Sequence, residues 1–248
     1  MLSRFFSRLR QSRCEATNLP FLAANVLKVR NLDCLKKAMK WTESPNIEYE
    51  YLKEFEFLTD LNDRRIRDAE VLGAVCCNGN PKTLLEIGTS YGRATALMAQ
   101  NASQGIVYTV NIPPEDISEG GKYVTFAPRI EEIGKYYRER KCTNVKQIFV
   151  NTKNWIPDLG LIDVAFIDGC HDADYVYNDT IKILANTRPG SVIMWHDFSP
   201  ELVNVYDWIS SVCEGVERLY ADGFIKGKIL HLVDSWIGLY IVPKDLIK

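Results

Sequence analysis

The chain has 248 residues, 46% of them hydrophobic, with 30 Lys and Arg against 32 Asp and Glu and a formal net charge of −2 at pH 7. That length can bury a substantial core, and the mildly acidic balance argues against nucleic acid as a main partner. No apolar run approaches the roughly 20 residues that span a bilayer, and the seven cysteines (14, 34, 76, 77, 142, 170 and 213) form no C-x-x-C pair, as expected of reduced, mostly buried thiols in a cytoplasmic protein.

The charge is unevenly spread: residues 1–40 hold nine Lys and Arg against two acids, +7, which leaves −9 for the remainder. Met1–Arg13 has four Arg, three Ser and no acid. We read it as an N-terminal helix packing on the core, with mitochondrial targeting and a basic membrane-touching helix as the lesser alternatives. Residues 1–60 read as helical, without a strand-like run, and are expected to form a cap over a site carried by residues 61–248. Asp63–Val75 continues as helix into the turn Asn78-Gly79-Asn80-Pro81. Strand candidates then alternate with helices. The strands are 82–88, 105–112, 145–150, 162–168 and 190–196; the helices are 91–101, 129–140, 173–186 and 200–213. Such alternation predicts a doubly wound, mostly parallel α/β sheet. Residues 216–221 and 236–242 read as two closing strands without a comparable helix between them, which brings the expected sheet to seven.

The stretch Leu84-Leu85-Glu86-Ile87-Gly88-Thr89-Ser90-Tyr91-Gly92-Arg93 carries most information. An apolar run ends in an acid, then a glycine turn, then a second glycine opening a helix, which is where doubly wound sheets hold nucleotides. Ser90 and Arg93 stand where a dinucleotide fingerprint needs glycine. A pyrophosphate site avoids an acid at position 86, whereas a cationic ligand welcomes one; S-adenosylmethionine carries an ammonium and a sulfonium. The run resembles the first motif of class I S-adenosylmethionine-dependent methyltransferases. That resemblance implies a Rossmann-like fold with an antiparallel last strand, and a cofactor held by Glu86, Gly88, Thr89, Ser90 and Tyr91. Asn111, ending the second strand, stands where the family commonly has a ribose-binding acid. Asn151 and Thr152, after the third, stand where it contacts adenine, although an Asx turn explains them as well.

Ile162–His171 ends the fourth strand with Asp168 and places His171 three residues on; Ser191–Asp197 ends the fifth with His196-Asp197. Two of the chain's three histidines thus lie at neighbouring strand ends beside two acids, a metal or acid–base constellation. These runs resemble small-molecule O-methyltransferases related to macrocin and cephalosporin-pathway enzymes. Carried over by position, Asp168, His196 and Asp197 would bind a divalent metal and His171 would be the general base. The family usually has an acid where His196 stands, which moves the metal preference from Mg²⁺ toward a transition metal. The resemblance implies methyl transfer to the hydroxyl of a small molecule such as a sugar or natural product, in a chain for which a homo-oligomer is compatible. Two rivals are a metal-independent enzyme acting on nitrogen or carbon, and a non-catalytic nucleotide-binding or scaffold protein. His231 reads as structural. Tyr175, Tyr177, Trp41, Tyr49 and Tyr51 are candidates for lining a pocket, and the long loop 113–127 for a lid.

Overall fold

The computed structural model describes residues 19–49, 59–123 and 128–246. The basic start, Met1–Arg13, and Tyr51 lie outside them. The described elements are α1 (Pro20–Asn25), β1 (Val26–Val29), α2 (Leu32–Met39), α3 (Thr59–Asn78), β2 (Thr83–Ile87), α4 (Arg93–Asn101), β3 (Ile106–Asn111), α5 (Lys135–Glu139), β4 (Val145–Phe149), β5 (Ile162–Ile167), α6 (Ala173–Leu184), β6 (Thr187–Trp195), α7 (Asp207–Ala221), β7 (Ile229–Leu232) and β8 (Gly238–Ile241). No helix among the described residues is long and apolar enough to cross a membrane.

The strands form one sheet in the order β1-β7-β8-β6-β5-β2-β3-β4. Only β8 runs antiparallel, pairing with β6 on one side and β7 on the other. The central strands are buried on both faces, which explains why β2 and β5 read as nearly continuous apolar runs rather than alternating ones. One face packs against α6 and α7 through Val176, Ile183, Val212, Val216 and Trp195. The other packs against α3 and α4 through Val71, Leu72, Val75 and Met98. Chain order reverses between β2 and β5: β3 and β4 continue to one side of β2 while β5 and β6 build the other. The carboxyl ends of these two strands are therefore the crevice where open α/β sheets hold ligands.

The sheet has eight strands where seven were expected. Two of the eight, β1 and β7, were not among those expected, while the strand expected over 216–221 is helix; β1 lies in the segment read as wholly helical and pairs in parallel with β7, Val26 against Ile229 through Val29 against Leu232. Four residues are too few for periodicity to separate strand from helix, and the pairing partner stands some 200 positions away. The segment is thus part sheet edge and part cover: residues 42–46 lie along the outside, held by Asn78 and Asn101, whose side-chain oxygens accept from the backbone N–H groups of Thr42, Glu43 and Asn46.

Three other expectations are corrected. Residues 216–221, read as a strand, are the C-terminal part of α7; Val212, Val216, Leu219 and Tyr220 are buried at helical spacing. The helix expected over 200–213 begins only at Asp207, after a short 3₁₀ turn at Pro200–Leu202. The helix expected over 129–140 shrinks to Lys135–Glu139, because Gly134 takes a left-handed φ of 74° at its N-cap.

Candidate functional site

The turn after β2 is set by its neighbours. Gly88 and Thr89 both donate backbone hydrogen bonds to the carbonyl of Val110 on β3, at 2.8 and 3.2 Å. Asp168 N–H donates to the carbonyl of Ile87 at 2.8 Å, so the turn and the end of β5 are stitched together. Gly88 has φ +103°, and a Cβ there would lie 1.9 Å from the carbonyl oxygen of Asp168. The requirement for glycine is therefore imposed by the adjoining strand end.

Glu86 lies fully buried beneath this turn and lines neither of the cavities described below. One carboxylate oxygen accepts the hydroxyls of Thr95 and Thr109, while Oε1 is buried with no hydrogen-bond partner among the described residues. Burial outweighs the two hydroxyls and pushes the carboxyl up to about 8. Asn111 uses its side-chain oxygen to accept the Ser90 N–H at 3.0 Å, which explains how a non-glycine residue is held there at φ +47°. Asn151 Oδ1 accepts from Lys153 N–H and the Tyr175 hydroxyl. Thr152 donates to Asp179, a buried acid on α6 that burial pushes up to about 7.

Two cavities meet at the turn. The smaller, about 300 Å³, is lined by residues 88–94 with Ala69 and Leu72 of α3 and Tyr136. The larger, about 540 Å³, is lined by Gly88, Ser90, Asn111, Asn151, Thr152, Asp168, His171 and Asp197. Arg65, Gly88, Ser90, Asp168, His196 and Trp236 border both. Tyr175, Pro114 and Ile117 line the larger cavity, so the start of the 113–127 loop does reach the site; residues 124–127 lie outside the described ones. Tyr177 instead donates to Asp222 at the surface, Trp41 packs at the edge of the core, Tyr49 is largely exposed, and His231 bonds Glu201 and the carbonyl of Ile237.

At the ends of β5 and β6 four side chains form a ring in which carboxylates and imidazoles alternate. His171 Nε2 lies 3.1 Å from Asp197 Oδ2 and 3.7 Å from Asp168 Oδ1. His196 Nδ1 lies 3.0 Å from Asp168 Oδ1 and 3.5 Å from Asp197 Oδ2. Burial alone would push both histidines down, but the carboxylates win: both are raised, His196 well above its ordinary value. Burial likewise opposes ionisation of Asp168, yet the two imidazoles hold it well below the usual carboxylate range. The sequence missed a third acid, Asp68 on α3, whose Oδ2 lies 3.3 Å from His196 Nε2. An acid on the α3 face that also buries Val71, Leu72 and Val75 was the available signal.

The donor set suits a divalent ion. Asp168, His171 and Asp197 each offer one ligand atom, all within 4.8 Å of one another. Asp197 Oδ1, His171 Nδ1 and His196 Nδ1 are buried without a hydrogen-bond partner among the described residues, so His196 faces Asp168 at short range yet outside hydrogen-bonding geometry. A bound ion would satisfy such atoms and displace the ring protons. Two carboxylates with imidazole favour Mn²⁺, Fe²⁺ or Zn²⁺ over Mg²⁺. For an S-adenosyl ligand, paired cavities of this size bracketing a backbone turn also fit.

Comparison with known proteins agrees with this geometry. Residues 85–198 match the model of a family described as a methyltransferase domain. No curated protein matches the chain. Among solved structures it is similar to the O-methyltransferase NovP (16% identity, 74% of this chain and 81% of that one, TM-score 0.57). It is similar also to the methyltransferase PaMTH1 of Podospora anserina, solved with S-adenosylhomocysteine bound (14%, 86% and 95%, TM-score 0.56). A third is the O-methyltransferase TomG of Streptomyces achromogenes, involved in tomaymycin synthesis and solved with S-adenosylmethionine (15%, 84% and 96%, TM-score 0.51). At these identities the likeness is one of fold: the chain shares the Rossmann-like fold of these solved methyltransferases, and residues 85–198, just under half of it, are similar to a methyltransferase domain.

Proposed function

We propose that this chain is an S-adenosylmethionine-dependent O-methyltransferase that methylates a hydroxyl of a small molecule, assisted by a divalent ion and by His171 as general base. The carrying observation is the meeting of the two cavities at Gly88, Ser90, Asp168 and His196. A two-part ligand, amino acid at one end and nucleoside at the other, lies naturally across such a turn. Thr89, Ser90, Tyr91 and the start of α4 would face the amino-acid end, and Asn111, Asn151 and Thr152 the nucleoside. Glu86 acts from beneath, bracing the turn through Thr95 and Thr109. When bound, the cofactor supplies a methyl on a sulfonium.

Asp168, His196 and Asp197 would hold the ion, which lowers the pKa of a hydroxyl placed on it. The remaining work belongs to the chain's own groups. Asp197, 3.1 Å from His171 Nε2, orients that ring as an acceptor for Nε2–H, and leaves Nδ1 as the atom that takes the acceptor's proton. The apolar walls of Leu72, Phe166 and Trp236 keep water from competing for the methyl.

Two measurements test this reading. Calorimetry should show S-adenosylhomocysteine binding to the wild-type chain and weaker binding to Asn151→Ala, and incubation with hydroxylated acceptors should release S-adenosylhomocysteine. Absence of cofactor binding at millimolar concentration would defeat it. Full turnover in strong chelator would defeat the metal-assisted part.

A further inference from the structure

The four-membered ring at the strand ends leaves open which histidine is the metal donor, since each places one nitrogen between Asp168 and Asp197. His196 Nδ1 stands 3.0 and 3.5 Å from the two carboxylates; His171 Nε2 stands 3.7 and 3.1 Å from them. The other ring nitrogen of each differs. His196 Nε2 faces Asp68 Oδ2 at 3.3 Å, whereas His171 Nδ1 is buried with no hydrogen-bond partner among the described residues. Histidines that ligate metals almost always donate their second ring N–H to a carboxylate or carbonyl, which fixes the tautomer and aims the bare nitrogen at the ion.

We propose that Asp68 is the positioning residue that divides the work of the two histidines, holding His196 as the metal donor and so leaving His171 to take the proton. Asp68 is itself immobilised: it is buried, and its Oδ1 accepts the backbone N–H of Trp236 at 2.6 Å. An acid carried by α3, outside the strand ends, therefore reaches across to hold the ring at the end of β6, and Trp236, beside that ring at a centroid separation of 5.9 Å, closes the far side. With Nε2–H given to Asp68, the lone pair of His196 Nδ1 points at the gap between the two carboxylates. Asp197, whose Oδ2 borders this gap, gives a second mark of a cation site: it is 4% exposed, and its Oδ1 is buried without a hydrogen-bond partner among the described residues. The ligand class that follows is a divalent transition metal held by two carboxylates and one imidazole, with a carboxylate behind that imidazole. This deepens the metal-assisted part of the proposed function.

The experiment is Co²⁺ titration of the metal-stripped chain, read by visible d–d absorption and calorimetry, on wild type, Asp68→Asn, His196→Ala and His171→Ala. Asp68→Asn is the informative variant. Its amide oxygen can still accept from Trp236 N–H, so the fold is preserved, while its NH₂ faces His196 Nε2 and forces the ring proton onto Nδ1. The expected result is Co²⁺ affinity lower by about 10- to 100-fold in Asp68→Asn, a larger loss in His196→Ala, and a wild-type spectrum in His171→Ala. Wild-type affinity in Asp68→Asn, loss of the ion in His171→Ala as severe as in His196→Ala, or no d–d absorption in the wild type would each overturn the proposal. S-adenosylhomocysteine affinity measured on the same samples separates the two readings: its absence beside the expected Co²⁺ pattern would defeat the methyltransferase reading and leave the division between the histidines standing.

Discussion

His171 and Glu86 are both buried and titratable, and the site asks opposite things of them. Under the proposed mechanism His171 gains a proton during turnover, so His171→Ala should lose on the order of 10²–10⁴-fold in rate while S-adenosylhomocysteine affinity is kept; steady-state rates beside calorimetry check this. Glu86 must keep its place under the turn at little electrostatic cost. Its folded pKa, about 8, lies above the unfolded value of about 4.3. Between those values the folded chain holds a proton that the unfolded chain has released, so stability falls as pH rises, by roughly 1 kcal/mol per pH unit. Glu86→Gln removes the ionisable group and keeps an oxygen for Thr95 and Thr109. It should unfold at a higher temperature than wild type at pH 8 and lose that advantage near pH 4; an advantage independent of pH would contradict the assignment. Gly88 cannot serve as a probe of the ligand. A valine there would strike the Asp168 carbonyl and test the fold instead.

Elements show how local chemistry is completed from a distance. The six-residue α1 begins at Pro20, and the N–H groups of Phe21 and Leu22 both donate to the Glu217 carboxylate of α7 at 2.8 Å. Glu217→Ala would leave one of these donors buried without an acceptor, which should cost about 1–3 kcal/mol in urea unfolding. A change below 0.5 kcal/mol would show that the contact carries little. Such links also mark what the sequence could reveal. The alternation of β2 to β6 with helices was legible because each strand has a distinct apolar run and glycine or polar punctuation. The glycine turn and both acid–histidine strand ends were legible for the same reason. β1 was not, because its pairing to β7 is non-local. The 216–221 segment misled because short apolar runs fit either period, and the burial of Val212, Val216 and Leu219 decided for helix. Asp68 was legible only as an acid on the apolar face of α3; nothing local tied it to the site, since its partner His196 lies 128 residues away.

At the scale of the whole molecule, the shifted groups act together on acid and alkaline stability. Glu201, held down to about 2 once His231 outweighs its burial, contributes stability above its unfolded value that is lost as pH falls through 2; Asp168 acts in the same sense. Glu86 and Asp179, raised by burial to about 8 and about 7, cost stability as pH rises through the range above their unfolded values. The raised histidines 171 and 196 add stability at low pH that fades as pH passes their folded pKa values. The melting temperature of the metal-free chain should therefore peak near pH 5 and fall toward both sides. Saturating Co²⁺ or Mn²⁺ should lift the alkaline side most, since metal replaces ring protons that are already scarce there. A metal-free optimum above pH 8 would contradict this balance.

The pairing of β1 with β7 also has a meaning in time. Val26 can meet Ile229 only after some 200 further residues have been made, which at about 5–20 residues per second is roughly 10–40 s of synthesis. For that interval the first described strand has no sheet to join, while β2, β3, β4 and β5 can already assemble the turn and the first acid–histidine end. When β7 and β8 emerge, β1 docks on the outer side of β7 and covers an edge that would otherwise offer its backbone to another molecule. A chain lacking residues 1–30 should thus build its centre at normal speed, yet be lost to association between molecules during the last step of folding.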